Sequence, residues 1–249
     1  MPSYLVTGSS RGIGLAIVEY LVTLPDTIVL ATARNPGASK GLQDLAAKHG
    51  KDRLVLVTLD VSSPASIEAA HKEATALLPK GLDYLVLNAG THMQPSCTFD
   101  DIDFKLLAEE IRFNTEYPIV TIRTFLPLIR KSEIKKIAFI SSELGSIEAA
   151  SQLPGLTNAY CIAKASYNML ARKYGGMLKF EGINVVTIHP GWVKTEIGDG
   201  IEAWMNTYAP QMKPITAEVS ASGSIKAIQD AKLEEGPGFY NWEGVKRPW

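Results

Sequence analysis

Ser-Tyr-Leu-Val-Thr-Gly-Ser-Ser-Arg-Gly-Ile-Gly, residues Ser3–Gly14, is the stretch that decides the fold. A short apolar run, Tyr4–Val6, leads into a glycine-rich turn, and a segment with helical apolar spacing then runs from Ile13 to about Leu24. The turn carries three glycines, Gly8, Gly12 and Gly14. A strand, a tight turn and a helix start bring backbone N–H groups close to a pyrophosphate, and the helix start adds about half a positive charge. The glycine spacing differs from the usual dinucleotide fingerprint, so the turn alone is also compatible with simple packing.

The rest of the chain repeats this order of strand and helix. The apolar runs are Tyr4–Val6, Thr27–Ala33, Leu54–Leu59, Tyr84–Leu87, Ile137–Ile140 and Val185–Ile188, with a last short one near Phe239. The helical segments are Gly12–Leu24, Gly41–His49, Pro64–Leu78, about Asp100 to Arg130, Asn158–Lys179 and Thr216–Asp230. Strands that are apolar on both faces belong in a parallel sheet covered by helices. We therefore predict an α/β fold, a Rossmann-type doubly wound parallel sheet in one three-layer α/β/α domain spanning residues 1–249.

Composition excludes several classes of function. The chain is 46% hydrophobic and 20% charged with a formal net charge of −1, so nothing attracts it globally to nucleic acid or to an anionic membrane. No apolar run approaches the roughly 18 residues that span a bilayer. Because the first apolar run begins at Tyr4, we expect no removable leader before it. Cys97, Cys161 and four scattered histidines form neither a disulfide framework nor a metal site, and a cytoplasmic location is expected.

Polar residues that follow the strands point to a particular dinucleotide. Arg34 follows the second strand, where a site for NAD would place an acidic residue, and Arg11 lies within the glycine turn. A single surface arginine is usually only solvated, but two at these positions suit a ribose 2′-phosphate and favour NADP(H). Asp60, after the third strand, has two readings. It accepts a hydrogen bond from the adenine amino group, or it caps the next helix, a role for which Ser62 and Ser63 compete.

Tyr160 and Lys164 form the pair that could carry chemistry. Residues i and i+4 share one face of a helix, so the phenol and the ammonium can lie together. A cation within about 4–6 Å lowers the pKa of a tyrosine, typically by one to three units from about 10. Such a pair is also commonplace on helix surfaces. Upstream, the fifth strand runs into Ser141 and Ser142, of which only one can face a pocket because neighbouring strand residues point to opposite faces.

Six motifs in order resemble the short-chain dehydrogenase/reductase family over nearly the whole chain. They are Thr7–Gly14, Asn88–Gly90, Asn114, Ser142 with Gly145, Tyr160 with Lys164, and Pro190–Thr195. Ile188–Thr195 and the stretch from Gly238 to Trp249 are most similar to the NADPH carbonyl reductases of the sniffer and C-factor type, and fungal ketoreductases look alike too.

The resemblance implies four catalytic residues. Tyr160 would be the general acid–base, and Lys164 would lower its pKa and hold the nicotinamide ribose. Ser142 would hydrogen-bond the substrate carbonyl, with Ser141 as the alternative by register. Asn114 would fix a water molecule leading to Lys164. General acid–base assistance of this kind contributes about 10²–10⁴ in rate.

The resemblance also implies a site for NADPH or NADP⁺, with no metal. Ile13 would bind the pyrophosphate through its backbone, and Val193 and Thr195 would meet the nicotinamide carboxamide. The cofactor-binding residues expected are Gly8, Ser10, Arg11, Gly12, Ile13, Gly14, Arg34, Asp60, Val61, Asn88, Ala89, Gly90, Tyr160, Lys164, Pro190, Gly191, Val193 and Thr195.

The substrate side is expected at Ser142, Tyr160, Trp192 and Met93. Residues 195–214 suit a mobile lid that excludes water, or else an ordinary amphipathic surface helix. Between Ser142 and Tyr160 lie more residues than the family commonly has, and we interpret 146–158 as a lengthened loop beside the pocket. The resemblance allows a homodimer or a homotetramer, and this loop leaves the choice open.

These observations predict an oxidoreductase that reduces the carbonyl of an aldehyde or ketone, with NADPH as hydride source and Tyr160 as proton donor. The partner would be a small carbonyl compound rather than nucleic acid or a membrane. The alternative is a regulator that senses NADP(H) without catalysis.

Overall fold

The computed structural model describes residues 1–95 and 97–249, and its centre is one seven-stranded, fully parallel sheet. The strands are β1 Ser3–Val6, β2 Ile28–Ala33, β3 Leu54–Thr58, β4 Tyr84–Leu87, β5 Lys136–Ile140, β6 Asn184–His189 and β7 Gly238–Asn241. Their order in the sheet is β3-β2-β1-β4-β5-β6-β7. The predicted Rossmann-type fold is confirmed, and every predicted strand is present to within one residue at the ends where bounds were given.

Eight helices connect these strands in the described parts of the chain. They are α1 Gly12–Thr23, α2 Lys40–His49, α3 Pro64–Leu77, α4 Phe104–Lys131, α5 Asn158–Leu178, α6 Glu196–Asp199, α7 Glu202–Tyr208 and α8 Ala217–Asp230. α4 begins later than the predicted Asp100, because the carboxylate of Asp103 accepts hydrogen bonds from the N–H groups of Lys105 and Leu106 and so caps the helix there. The short helices α6 and α7 lie within residues 195–214, for which no separate helix bounds were predicted.

Two apolar layers hold the helices to the sheet. Alternate strand residues face opposite sides, so Tyr4 and Val6 pack with α1 and α8 while Leu5 packs with α3, α4 and α5. The strand register places Leu5 beside Leu30 on β2 and Leu85 on β4, all three fully buried. Each strand is therefore apolar on both faces, which is why the strand runs show little alternation.

The chain changes direction across the sheet between β1 and β4. The strands β1 to β3 build outward on one side, and the crossover through α3 returns the chain to the other side of β1. In doubly wound sheets ligands bind at this switch point, beyond the carboxyl ends of the strands. The glycine turn, the loop after β4 and the residues after β5 all follow strands of this central region.

A buried lysine donates hydrogen bonds to the C-terminal carbonyls of α8. The Nζ atom of Lys136 on β5 donates to the carbonyl oxygens of Ile228 at 2.9 Å, Gln229 at 2.6 Å and Ala231 at 2.8 Å. These carbonyls lie at the helix end, where intrahelical donors run out. Burial lowers the pKa of Lys136, and the three oxygens offset that cost.

Candidate active site

The glycine turn folds tightly against the loop that follows β4. Gly8 and Gly12 have φ angles of +68° and +58°, in the left-handed region that favours glycine. A Cβ at Gly8 would lie 2.9 Å from the Cα of Ala89, and one at Gly14 would overlap the carbonyl oxygen of Gly8 and the amide nitrogen of Asn88. Close approach therefore requires glycine at positions 8 and 14, and the positive φ favours it at positions 8 and 12.

The start of α1 is open for an anion. Its N-cap residue, Arg11, is extended and makes no side-chain capping hydrogen bond within the described chain, and the first turn holds no acidic residue. The N–H groups of Gly12, Ile13 and Gly14 thus belong to a helix start that no side chain caps. Ser10 is exposed beside them, and its carbonyl accepts a hydrogen bond from Ser39 at 2.7 Å.

Thr7 and Asn88 join the ends of β1 and β4. The hydroxyl of Thr7 accepts hydrogen bonds from the N–H groups of Asn88 at 2.9 Å and Ala89 at 3.0 Å. The side-chain amide of Asn88 donates to the carbonyls of Thr7 at 2.9 Å and Gly8 at 3.1 Å. These bonds make Asn88 a brace for the turn, with Gly90 exposed at its outer side.

The ends of β2 and β3 carry the residues expected near the adenosine. Arg34 is exposed directly after β2. Asp60 accepts hydrogen bonds from the N–H of Ser62 at 3.0 Å and its hydroxyl at 2.7 Å, whereas Ser63 is the residue that caps α3. The helix-cap reading of Asp60 is therefore wrong, because Ser63 holds that position. Val61, half-buried, follows directly.

The segment after β6 returns to the glycine turn. Gly191 has a φ of +89°, and the carbonyl of Pro190 accepts a hydrogen bond from Ser220 at 2.6 Å. A Cβ at Gly12 would lie 3.5 Å from the methyl group of Thr195, so the two stretches are neighbours. Thr195 caps α6 and Val193 is buried.

An ion pair links the turn to the segment after Thr195. Nη1 of Arg11 lies 2.6 Å from a carboxylate oxygen of Glu196, and both side chains are largely exposed. Exposed pairs of this kind contribute about 0–1 kcal/mol. Arg11 is therefore easily available for a different anionic partner.

The two serines after β5 face different ways. Ser141 Oγ donates to the side-chain carbonyl of Asn168 at 2.5 Å in the buried layer beneath α5. Ser142 Oγ accepts a hydrogen bond from the N–H of Leu144 at 3.1 Å, and the Ser142 hydroxyl is near enough to the phenol of Tyr160 to act on its pKa in the lowering direction. The geometry thus favours Ser142 over Ser141 as the serine beside the tyrosine.

Tyr160 and Lys164 lie together on the buried face of α5. The Lys164 Nζ atom is 5.6 Å from the ring centroid of Tyr160 and 4.5 Å from that of Tyr167. It also lies 3.5 Å from the carbonyl oxygen of Ile140 at the end of β5. On the other side, the ring of His92 is 4.7 Å from the Tyr160 ring, centroid to centroid.

Burial dominates the protonation of this pair. It raises the pKa of Tyr160 well above the usual value, helped by the charge of Glu110, while hydrogen bonding with Ser142 acts in the opposite direction. The predicted lowering of the Tyr160 pKa by Lys164 is wrong for this structure: the shift is upward, and its largest cause is burial, which removes hydration from the phenolate. Burial likewise lowers the pKa of Lys164 to about 8, and the charge of Glu110 opposes that shift. Tyr160 consequently holds its proton at neutral pH.

Asn114 is buried within α4, and its backbone carbonyl has no N–H donor four residues further along the helix. Its side-chain amide donates to the carbonyl of Glu110 at 2.8 Å. Pro118, four residues later, has no N–H, so the Asn114 carbonyl lacks its intrahelical donor. This arrangement suits the water that the resemblance assigns to Asn114.

Two of the expected substrate residues lie on the loops that follow β4 and β6. Met93 and Trp192 are half-buried, and the indole N–H of Trp192 donates to the carbonyl of Gly198 at 2.9 Å. Residues 195–214 form α6 and α7, in which Met205 is buried and Tyr208 is exposed. This segment therefore packs on the domain through one face while sharing a hydrogen bond with Trp192.

Three charged residues of the site region were missed by sequence reasoning. Glu110 is fully buried beside Asn114, although nothing in its local sequence distinguishes it from Glu109. Glu143 forms an ion pair with Arg247, and its N–H donates to Nδ1 of His189 at 3.1 Å. Arg247 lies 104 positions beyond Glu143 in the chain (247 − 143), so no motif spacing could have found this pair.

No helix in the described residues has the length and apolarity to cross a membrane. In the same residues, histidine, cysteine and carboxylate side chains form no group of three that could hold a metal ion.

Comparison with known proteins agrees with this geometry. Residues 3–206 match the family model described as short chain dehydrogenase. An uncharacterized oxidoreductase of Schizosaccharomyces pombe is 32% identical over 256 residues, covering 99% of this chain and 97% of the relative. The short-chain dehydrogenase/reductase AacuF of Aspergillus aculeatus is 33% identical over 272 residues, covering 99% of both.

Solved structures of carbonyl reductases share the fold over the whole chain. NADPH-bound carbonyl reductase from chicken fatty liver superimposes with a TM-score of 0.89 at 33% identity, covering 100% of this chain and 94% of that one. The carbonyl reductase Sniffer of Drosophila melanogaster has a TM-score of 0.88 at 27% identity, with full coverage of both chains. A Pseudomonas aeruginosa carbonyl reductase in complex with NADP has a TM-score of 0.80 at 29% identity, again with full coverage.

Proposed function

Because the chain belongs to the short-chain dehydrogenase family of oxidoreductases, we propose that it reduces an aldehyde or ketone to the alcohol with NADPH. The observation that carries the proposal is the convergence of Ser142, Tyr160 and Lys164 on one side of α5, beside the switch point of the sheet. The solved carbonyl reductases with NADPH or NADP bound support the choice of cofactor.

The residues present fit a dinucleotide phosphate. Gly8 and Gly14 let the turn pack directly against the loop after β4, and the uncapped start of α1 follows this turn. That helix start would hold the pyrophosphate through the N–H of Ile13. Arg11 and Arg34 would hold the 2′-phosphate. Arg34 is exposed, and Arg11 would give up only an exposed ion pair with Glu196, which costs little free energy.

The remaining cofactor contacts would come from the segment after β6 and from α5. Val193 and Thr195 would meet the carboxamide, and Lys164 the nicotinamide ribose. Asp60 would accept from the adenine amino group. When bound, NADPH supplies the hydride for the carbonyl carbon.

Residues of the chain would then hydrogen-bond and protonate the oxygen of the substrate carbonyl. Ser142 donates a hydrogen bond to it, and Tyr160 transfers its phenolic proton to the oxygen as negative charge develops there. The high pKa of Tyr160 keeps that proton in place before reaction, and the ammonium of Lys164 stabilises the phenolate left behind. Asn114 would hold the water through which Lys164 exchanges protons with solvent.

The substrate would enter between the loop after β4 and residues 195–214. Met93 and Trp192 would line its apolar part, with His92 against the Tyr160 ring. We assign residues 195–214 the role of a lid, because α6 is attached to Trp192 by one hydrogen bond and to Arg11 by one exposed ion pair. Closure of such a segment excludes water from the reaction.

The test is NADPH oxidation with a panel of aldehydes and ketones, followed at the nicotinamide absorbance. Wild-type protein should turn over at least one of them, and Tyr160→Phe should lose about 10²–10⁴ in kcat while still binding NADPH. Tyr174→Phe is the matched control, because Tyr174 lies on the same helix about 20 Å further along. Binding of NADPH without turnover of any carbonyl would instead support a sensor, and equal rates for Tyr160→Phe and wild type would refute the acid–base assignment.

A further inference from the structure

Glu110 is a buried carboxylate of which only one of the two oxygens has a hydrogen-bond partner in the described residues. The residue is 0% exposed, and its Oε1 accepts a hydrogen bond from the N–H of Met93 at 3.2 Å. Its Oε2 is also buried and has no hydrogen-bond partner in residues 1–95 and 97–249. An unpartnered carboxylate oxygen inside a protein costs several kcal/mol unless it serves a charge nearby.

The charges that face Glu110 all belong to the candidate active site. Burial raises the pKa of Glu110, and the N–H of Met93 and the charge of Lys164 on α5 oppose that rise. The charge of Glu110 in turn opposes the lowering of the Lys164 pKa and adds to the rise of the Tyr160 pKa. From the loop after β4, His92 is neutral near pH 7, because burial lowers its pKa to about 4, and it interacts with the same ammonium. Lys164 is therefore the one cation of this group, and Glu110 the one acid.

Lys164 needs such a partner because its other neighbours are weak acceptors. Its Nζ atom lies over two aromatic rings and 3.5 Å from the carbonyl of Ile140, a long hydrogen bond. Burial alone favours the neutral amine, and the carboxylate of Glu110 opposes it. The proposed reaction requires the charged form, since only the ammonium stabilises the phenolate of Tyr160.

We propose that Glu110 is a positioning residue of this site, whose Oε1 holds the loop after β4 at Met93 and whose buried, unpartnered Oε2 presents a negative charge to the side of α5 that carries Lys164. The carboxylate acts through these two neighbours and does not touch the substrate. The assignment rests on the proposed function only for its catalytic consequence, since the hydrogen bond to Met93 and the burial of Oε2 are features of the chain itself.

Two substitutions separate the two tasks. Glu110→Gln removes the charge but keeps a side-chain oxygen for the N–H of Met93, whereas Glu110→Met removes both. Glu109→Gln is the matched control, because Glu109 is the exposed neighbour on the same helix and carries the same charge.

The first readout needs no turnover. In protein labelled with ¹³C-lysine, the Lys164 resonance is identified by its absence in Lys164→Arg, and its pKa is followed by NMR titration. Glu110→Gln should lower that pKa by about one unit or more, and Glu109→Gln should leave it unchanged. An unchanged pKa in Glu110→Gln overturns the charge assignment, whether or not any carbonyl is reduced.

The second readout is amide hydrogen exchange at Met93. Exchange should remain slow in Glu110→Gln and accelerate at least tenfold in Glu110→Met, because only the latter removes the acceptor. Equal protection in both variants refutes the tie to the loop.

The third readout concerns the proposed reaction. If carbonyl reduction occurs, the alkaline limb of its pH–rate profile should move to lower pH in Glu110→Gln but not in Glu109→Gln. If no protein reduces any carbonyl while the lysine titration shifts as expected, the proposed function fails and the pairing stands. A pH–rate profile that stays fixed in an active Glu110→Gln enzyme refutes the catalytic consequence.

Discussion

Gly145 is the point at which the turn carrying Ser142 touches α5, and adding one methyl group there should disable the site. A Cβ at Gly145 would lie 2.6 Å from both the backbone carbonyl carbon and oxygen of Lys164, and 2.9 Å from the side-chain nitrogen of Asn168. Ordinary contact needs 3.4–4 Å, so the turn must move away from the helix by about 1 Å. The helix cannot yield instead, because Lys164 is buried within 21 helical residues.

This displacement has two measurable consequences. Overpacking of this kind costs about 1–3 kcal/mol, which lowers the melting temperature of a chain of this length by roughly 2–12 °C. Ser142 moves with the turn, and a misplacement of about 1 Å at a reacting centre costs on the order of 100-fold in rate. Gly145→Ala should therefore show both losses, in thermal unfolding followed by circular dichroism and in NADPH-dependent carbonyl reduction.

Gly176→Ala is the matched control. Gly176 is exposed within α5, and a Cβ there meets nothing within 4 Å. The same added methyl group should raise stability by about 0.5–1 kcal/mol and leave the rate unchanged. A Gly145→Ala protein that melts and reacts like wild type would refute the prediction, because the close contact with Lys164 would then have no structural consequence.

Two further predictions concern the cofactor and pH. Arg34→Ala should raise KM for NADPH about tenfold or more and leave KM for NADH unchanged, because it removes a charge-assisted contact with the 2′-phosphate; steady-state kinetics with both cofactors checks this, and equal changes for the two would contradict it. Burial lowers the pKa of His189 from 6.5 to about 4, so the unfolded chain binds the proton more readily and stability falls as pH drops through that window. Urea unfolding at several pH values should show a decline that is shallower in His189→Gln, by up to about 1.4 kcal/mol per pH unit, and parallel declines would count against the assignment.

The sheet could be predicted because each strand is short, apolar on both faces and followed by a segment with helical spacing. Tyr4–Val6 and Tyr84–Leu87 illustrate this, since every one of their residues is buried. The proximity of Tyr160 and Lys164 followed from helical geometry alone. Helix starts were less accurate where a capping side chain decided them, as Asp103 does for α4.

The electrostatic environment of the site could not be read from the sequence. The raised pKa of Tyr160 depends on how completely the ring is covered, which is a property of the packed chain. Glu110 and Glu109 look alike in the sequence, and only the orientation of α4 buries one of them. Nothing in the sequence distinguishes Lys136, the first residue of β5, from an exposed lysine, whereas in the structure its ammonium donates to the last carbonyls of α8.

The central place of β1 in the sheet governs how the chain must fold as it is synthesised. Tyr4 pairs with Val29 on one side and with Tyr84 on the other, where the two tyrosine rings stack with centroids 4.2 Å apart. The nascent chain therefore carries an open hydrogen-bonding edge on its first strand until the fourth strand emerges from the ribosome. An unpaired edge of this kind is a template for association with other chains, and pairing over such sequence separations is slow. Refolding at high concentration should consequently favour aggregates seeded at Ser3–Val6.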